Sequence, residues 1–169
     1  VDFLTRGQFV PQIPEIRERM GKAGNRTTNT ADAQKCVSSY DKEMVKFKRL
    51  PLRYQRLTGE QHLDLLEDAL KAGQYAHLAI DYGVWNDRMK ASGGRTGDPK
   101  FRGGHSVGVL GWKRDERGVV WYRLFDPLDD KRRPIIPKGP RWVRRGPLVA
   151  ALKAYGSYFG ILRGGERTP

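Results

Sequence analysis

Three residues with the chemistry of an acyl-transfer site occur in a usable order along the chain: Cys36, His105 and Asp126. In such a set a thiolate attacks a carbonyl carbon, and an imidazole shuttles the proton. A carboxylate fixes the ring's tautomer and orientation. Cys36 is the single cysteine, so there is no choice of thiol. Its position is expected within the first turn or two of a helix that begins near Thr30. There, unpaired backbone N–H groups and the helix dipole favour the thiolate. A lone helical cysteine is more often a small packed hydrophobe, so its weight comes from its companions.

His105 stands at the head of "RGGHSVGVLGW", an apolar run that reads as a buried strand, and "VVWYRLFD" reads as the strand returning from the polar turn "KRDERG". If Trp112 pairs with Val119, antiparallel register sets His105 opposite Asp126. Opposed Cβ atoms lie about 4.5–5.5 Å apart, close enough for a carboxylate–imidazole hydrogen bond. A slip of one residue would separate the two onto opposite faces. The other histidines fit worse: His62 lies near the start of an amphipathic helix, and His77 sits inside the apolar "YAHLAIDY" as a packed ring. Asp81 is a weaker alternative acid, and Asp129 and Asp130 read as loop residues.

The elements that must position these residues follow from periodicity. Val37, Tyr40, Met44 and Phe47 form one helical stripe, which Pro51 ends. Thr58 with Gln61 reads as a capping box before a second helix carrying Leu63, Leu66 and Leu70, with Gly73 as its stop. "YAHLAIDYGVW" reads as a strand, followed by a glycine-rich loop over 92–104. A last helix starts at Pro147 and ends at Gly156, and "SYFGILRGG" is the final strand. Helices first, then a mainly antiparallel sheet with one late helix, make an α+β fold. The expected organisation is a loosely ordered arm over 1–28, one domain over 29–165 and a tail over 166–169.

These segments together resemble the papain-like cysteine peptidases, in the style of bacteriocin-processing peptidase domains and papain-fold toxin domains. The likeness rests on "AQKCVSSY", "LEDALKAGQYAHLAIDYG", "GGHSVGVLGW", "WYRLFDPL" and "WVRRGPLVAALKAYGS", and it spans about Cys36 to Gly165. It implies a nucleophile helix packed on a mainly antiparallel sheet, with Cys36 as nucleophile, His105 as base and Asp126 as orienting acid. It implies peptide or protein substrates cut through a thiol, with no cofactor. In that family a glutamine or asparagine precedes the cysteine and helps hold the oxyanion. Here Thr30 stands six residues before Cys36, so Asn29 and Gln34 are the oxyanion candidates, and neither is at the usual spacing.

Composition adds a second line of expectation. With 169 residues, 38% of them hydrophobic, the chain is long enough for a real core. One cysteine excludes an internal disulfide and any zinc site needing two thiolates; no metal is expected. No run is long and apolar enough to span a membrane, and "VDFLTRGQFV" lacks the layout of a signal peptide. A cytoplasmic or virion-associated location is the expectation. The formal charge of +13 favours an anionic partner. The densest basic stretch supplies the candidate contacts Lys131, Arg132, Arg133, Arg141, Trp142, Arg144 and Arg145 for nucleic acid or an assembly partner. A charge run is, however, more often a solvated loop. The alternative to an enzyme is therefore a non-catalytic assembly protein, for example a phage virion component, that uses the same fold and this basic surface.

Overall fold

The computed structural model describes residues 13–21, 30–40, 42, 53–129 and 140–163. The chain divides into two compact units, one made of 1–56 with 161–169 and the other of 57–160.

In the first unit, α1 (Ile13–Arg19) and α2 (Thr30–Ser38) pack together. Arg19 organises the pair. It bonds Glu15 one turn back at 2.9 Å, donates to the Ser39 carbonyl at 2.7 Å, and lies 4.0 Å from the centre of the buried Tyr40 ring. The helix α1 falls within the segment expected as a loosely ordered arm. The expected stripe residues Met44 and Phe47 lie outside the described residues.

The fold is mixed α/β around a six-stranded antiparallel sheet. Its strands are β1 (Arg53–Thr58), β2 (Tyr75–Asp81), β3 (Gly104–Arg114), β4 (Val120–Phe125), β5 (Arg141–Arg144) and β6 (Tyr158–Arg163). They hydrogen-bond in the order β1-β6-β2-β3-β4-β5. Three helices belong to the second unit: α3 (Leu63–Lys71), α4 (Tyr82–Ala91) and α5 (Arg145–Tyr155). Leu63, Leu66, Ala69 and Leu70 make the buried stripe of α3, which packs on β2 and β3. Val107 and Val109 of β3, Tyr122 and Leu124 of β4, and Val143 of β5 are buried. Gly156 ends α5 with φ +110°, a left-handed conformation that costs glycine little.

Several elements differ from expectation for identifiable reasons. The segment read as one strand from Tyr75 to Trp85 is a strand only to Asp81. The Asp81 carboxylate there accepts the Val84 N–H at 2.9 Å and caps α4. Tyr82, Trp85, Asn86 and Met89 then fall on one buried helical stripe. Thr58, expected as a cap, ends β1; His62 occupies the position before α3 and makes no side-chain cap. Part of the basic segment, Arg141–Arg144, is a strand.

The β3–β4 hairpin also has a different register. Trp112 pairs with Tyr122, not Val119, because β3 runs on to Arg114 while β4 begins only at Val120. Asp115 closes that turn, its Oδ1 accepting the N–H groups of Arg117 and Val119. The register then shifts between Val109 and Gly111, so that Gly108 pairs with Phe125. Leu110 is the extra residue. Continued without it, the register near the turn would set Asp126 against Gly108, on the face opposite to His105. With it, Asp126 projects beside Val107, two residues from His105 on the same face.

Candidate active site

His105 and Asp126 meet on the buried side of the sheet. His105 Nε2 lies 2.8 Å from Asp126 Oδ1, although the two residues are diagonal and not opposed. The Asp126 side chain has no exposed surface, whereas that of His105 keeps 16%. Asp126 Oδ1 also accepts the Leu128 N–H at 2.9 Å, and its Oδ2 accepts the Tyr82 hydroxyl at 2.8 Å. Burial pushes this carboxyl's pKa upward. The hydrogen bonds from His105 and Leu128, the charge of His105 and the Tyr82 hydroxyl outweigh it, and the net shift is downward. Tyr82 is shifted upward by its own burial and by the Asp126 charge, so it stays a donor.

Aromatic rings fix the imidazole. Tyr82 meets His105 edge-on, with centroids 4.9 Å apart and planes at 89°, and Phe101 stands 6.2 Å away at 77°. With Nε2 donating to Asp126, the remaining nitrogen, Nδ1, is the acceptor of the ring.

The support around this pair was not read from the sequence. Buried Asn86 donates to the carbonyls of Asp98 and Phe101, each at 3.0 Å, and accepts the Thr96 hydroxyl. It thereby pins the glycine-rich loop to α4. Gly97 of that loop lies against the turn after Asp126, where a Cβ would come within 2.2 Å of the Leu128 carbonyl. Asp129, also buried, receives a two-pronged bond from Arg141, Nε at 2.6 Å and Nη2 at 3.2 Å. Arg141 reaches on to the Arg95 carbonyl at 3.1 Å and so ties loop, turn and β5 together. The apolar and polar spacing of Tyr82, Trp85, Asn86 and Met89 was the available signal for this support.

Cys36 belongs to the first unit. It is the seventh residue of the nine-residue α2, within two turns of the Thr30 start as expected, but beyond the first turn, where the helix N-terminus favours a thiolate. The side chain is buried, and Sγ points to the Ile16 carbonyl at 3.8 Å. Burial pushes its pKa up, and the nearby Arg19 guanidinium offsets only part of this. Gln34 is exposed on the same helix, and Asn29 lies outside the described residues.

Among the basic candidates, Arg141 is held by Asp129, and Arg145 is held by Glu67, which also accepts the Tyr122 hydroxyl. Trp142 and Arg144 are exposed. Lys131, Arg132 and Arg133 lie outside the described residues. Asp81 serves as the α4 cap, and burial lowers the pKa of His77 to about 4. No cluster of His, Cys, Asp or Glu among the described residues is placed to hold a metal. No described helix is long and apolar enough to cross a membrane.

Comparison of the chain with known protein families, with curated proteins and with solved structures finds no match in any of the three.

Proposed function

We propose that the chain is a papain-like thiol hydrolase or transferase acting on peptide or amide bonds, with Cys36 as nucleophile, His105 as general base and acid, and Asp126 as orienting carboxylate. The observation that carries this reading is the His105–Asp126 pair, a buried carboxylate bonded to Nε2 that leaves Nδ1 to handle a proton. Cys36 enters through the resemblance and as the sole thiol of the chain. The reaction requires its sulfur to come within reach of Nδ1. Nδ1 takes the thiol proton as sulfur bonds to the carbonyl carbon, and the C–N bond breaks as that proton passes to the leaving amine. Water or an acceptor amine then attacks the thioester, giving its proton to His105, and the thiol is released. A thiol held above the ordinary range by burial is no standing thiolate, so attack depends on such a base.

Alkylation of Cys36 by iodoacetamide, followed by mass spectrometry from about pH 5 to 9, tests the reading across the ordinary histidine and thiol ranges. His105→Ala is expected to slow alkylation about tenfold or more near neutral pH relative to wild type, with Cys36→Ala as the blank. Identical profiles in wild type and His105→Ala overturn it.

A second reading, a non-catalytic assembly module such as a virion component with this fold, is favoured by one observation. Cys36 is buried beside α1 with its thiol turned to a backbone carbonyl, as a packed residue would be. Under it, Cys36 alkylates slowly in every variant, at a rate set by opening of the unit.

A further inference from the structure

The outer side of β3, β4 and β5 carries six basic and aromatic side chains that the sequence scatters over about thirty residues. Register places them in rows. Lys113 pairs with Trp121 and Trp121 with Arg144; Gly111 pairs with Arg123 and Arg123 with Trp142; Phe125 pairs with Gly108 on the same side. On β4 and β5 these residues alternate with the buried Tyr122, Leu124 and Val143, which point to the core. Trp142 is 40% exposed and Phe125 39%, large values for aromatic rings on adjoining strands.

The chemistry of the face is consistent across its rows. Lys113 Nζ lies 4.4 Å from the centre of the Trp142 ring, and the Arg144 guanidinium lies 5.5 Å from that of Trp121. A Cβ at Gly111 would sit 3.7 Å from Trp142 Cη2, so the indole tip lies over a bare stretch of strand. Asp115, a carboxylate that feels the charge of Arg144, is already committed. It closes the hairpin turn and accepts Trp121 Nε1 at 2.8 Å, which fixes the indole. Among the described residues no carboxylate forms an ion pair with Lys113, Arg123 or Arg144. Arg141 and Arg145, members of the same basic run, are held by Asp129 and Glu67 and take no part.

We infer that this sheet face binds single-stranded nucleic acid, with bases stacked on Trp142, Trp121 and Phe125 and phosphates carried by Lys113, Arg123 and Arg144. Aromatic rings take any base by its face, and the cations neutralise the backbone. An open sheet offers nothing to enter a duplex groove, whereas unstacked bases can lie flat on it. Strands about 4.8 Å apart, with same-face residues about 7 Å apart along each, give room for roughly two or three nucleotides. The net charge of +13 supplies long-range attraction toward the same partner. None of the six residues belongs to the His105–Asp126 site, so the inference stands apart from the thiol chemistry.

Fluorescence polarisation of the full chain with labelled oligo(dT) and oligo(U) of about 12 nucleotides, long enough to cover the face, tests it. Trp142→Ala is expected to weaken binding about tenfold, with Trp142→Phe retaining most of the affinity. Arg123→Gln with Arg144→Gln should reduce the slope of log K against log salt by about 1.4, two phosphate contacts on a single strand. Arg88→Gln, an exposed cation on α4, should change neither quantity appreciably. Thermal melts confirm that each variant is folded. Equal effects of Trp142→Ala and Arg88→Gln overturn the proposal, and so does a duplex of the same sequence bound as tightly as the single strand.

Discussion

The Asp126 carboxylate, fully enclosed, holds His105 Nε2 at 2.8 Å and shares its two oxygens with the Leu128 N–H and the Tyr82 hydroxyl. Three donors converge on one buried acid, so its removal leaves all three without an acceptor. Asp126→Ala is expected to cost about 3 kcal/mol in chemical denaturation, the penalty scale for buried unsatisfied groups. Tyr82→Phe removes a single bond and should cost about 1 kcal/mol. In a double-mutant cycle the two losses should be less than additive, because they share one interaction. Additive losses would show that the hydroxyl and the carboxylate do not act on each other in solution.

The two sides of the sheet respond differently to acid. The folded pKa of Asp126 lies below its ordinary value of 3.8. Its contribution is therefore fully present above 3.8 and is lost as pH falls through the lower, folded value. His77 acts earlier. Burial lowers its pKa from 6.5 to about 4, so the unfolded chain takes up a proton first, and stability declines as pH falls from 6.5 toward 4. The full span amounts to about 3 kcal/mol. Urea midpoints measured against pH should flatten over that interval in His77→Gln and retain the steeper loss at lower pH. An unchanged slope between 6.5 and 4 would assign the decline to other groups.

How far these features were legible depends on the range of the interactions that set them. The α3 stripe, the Gly156 stop and the strand character of 105–112 are local patterns, and they survive in the fold. The helix α4 was legible in principle, since Tyr82, Trp85, Asn86 and Met89 follow Asp81 at helical spacing. The apolar run ahead of it masked the change of period. The His105–Asp126 contact was anticipated from a register that is wrong by three residues at the hairpin end. The contact forms because an extra residue, Leu110, restores the shared face, and no propensity marks that irregularity. The place of Cys36 within two turns of Thr30 was legible from periodicity, but the burial of its thiol against the Ile16 carbonyl of α1 was not, because that contact is set by packing between helices.

Arg141 illustrates how a residue's charge can be spent internally. Its guanidinium makes two bonds to Asp129, which is 2% exposed, and a third to the Arg95 carbonyl. Truncation takes the guanidinium away from a buried carboxylate, so Arg141→Ala should lose about 3 kcal/mol of stability. Arg141→Lys should recover only part of it, because an ammonium cannot reproduce the planar fork. The salt dependence of nucleic-acid binding, measured on folded protein, should be the same in Arg141→Lys as in wild type. A reduced slope would move Arg141 from the scaffold to the binding face.

Gly97 is the point at which the glycine-rich loop and the Asp126 turn have no room between them. A Cβ there would lie 2.2 Å from both the carbonyl carbon and oxygen of Leu128, and 2.5 Å from the Asp129 nitrogen. Those are backbone atoms, so no side chain can swing aside to relieve the overlap. The turn itself is fixed from within, by Asp126 Oδ1 accepting the Leu128 N–H and by the Asp126 carbonyl accepting the Asp129 N–H at 3.0 Å. Gly97→Ala should therefore cost about 2 kcal/mol, within the usual range for overpacking, and displace the Asp126 turn. Chemical shifts of the His105 ring nitrogens give the second readout, because movement of Asp126 alters the Nε2 bond directly. In contrast, Gly93→Ala perturbs a loop position with open space around its Cβ, and its effect should be confined to the strain of φ +73°. A stability loss in Gly97→Ala without any change at His105 would separate the loop contact from the site it is argued to hold.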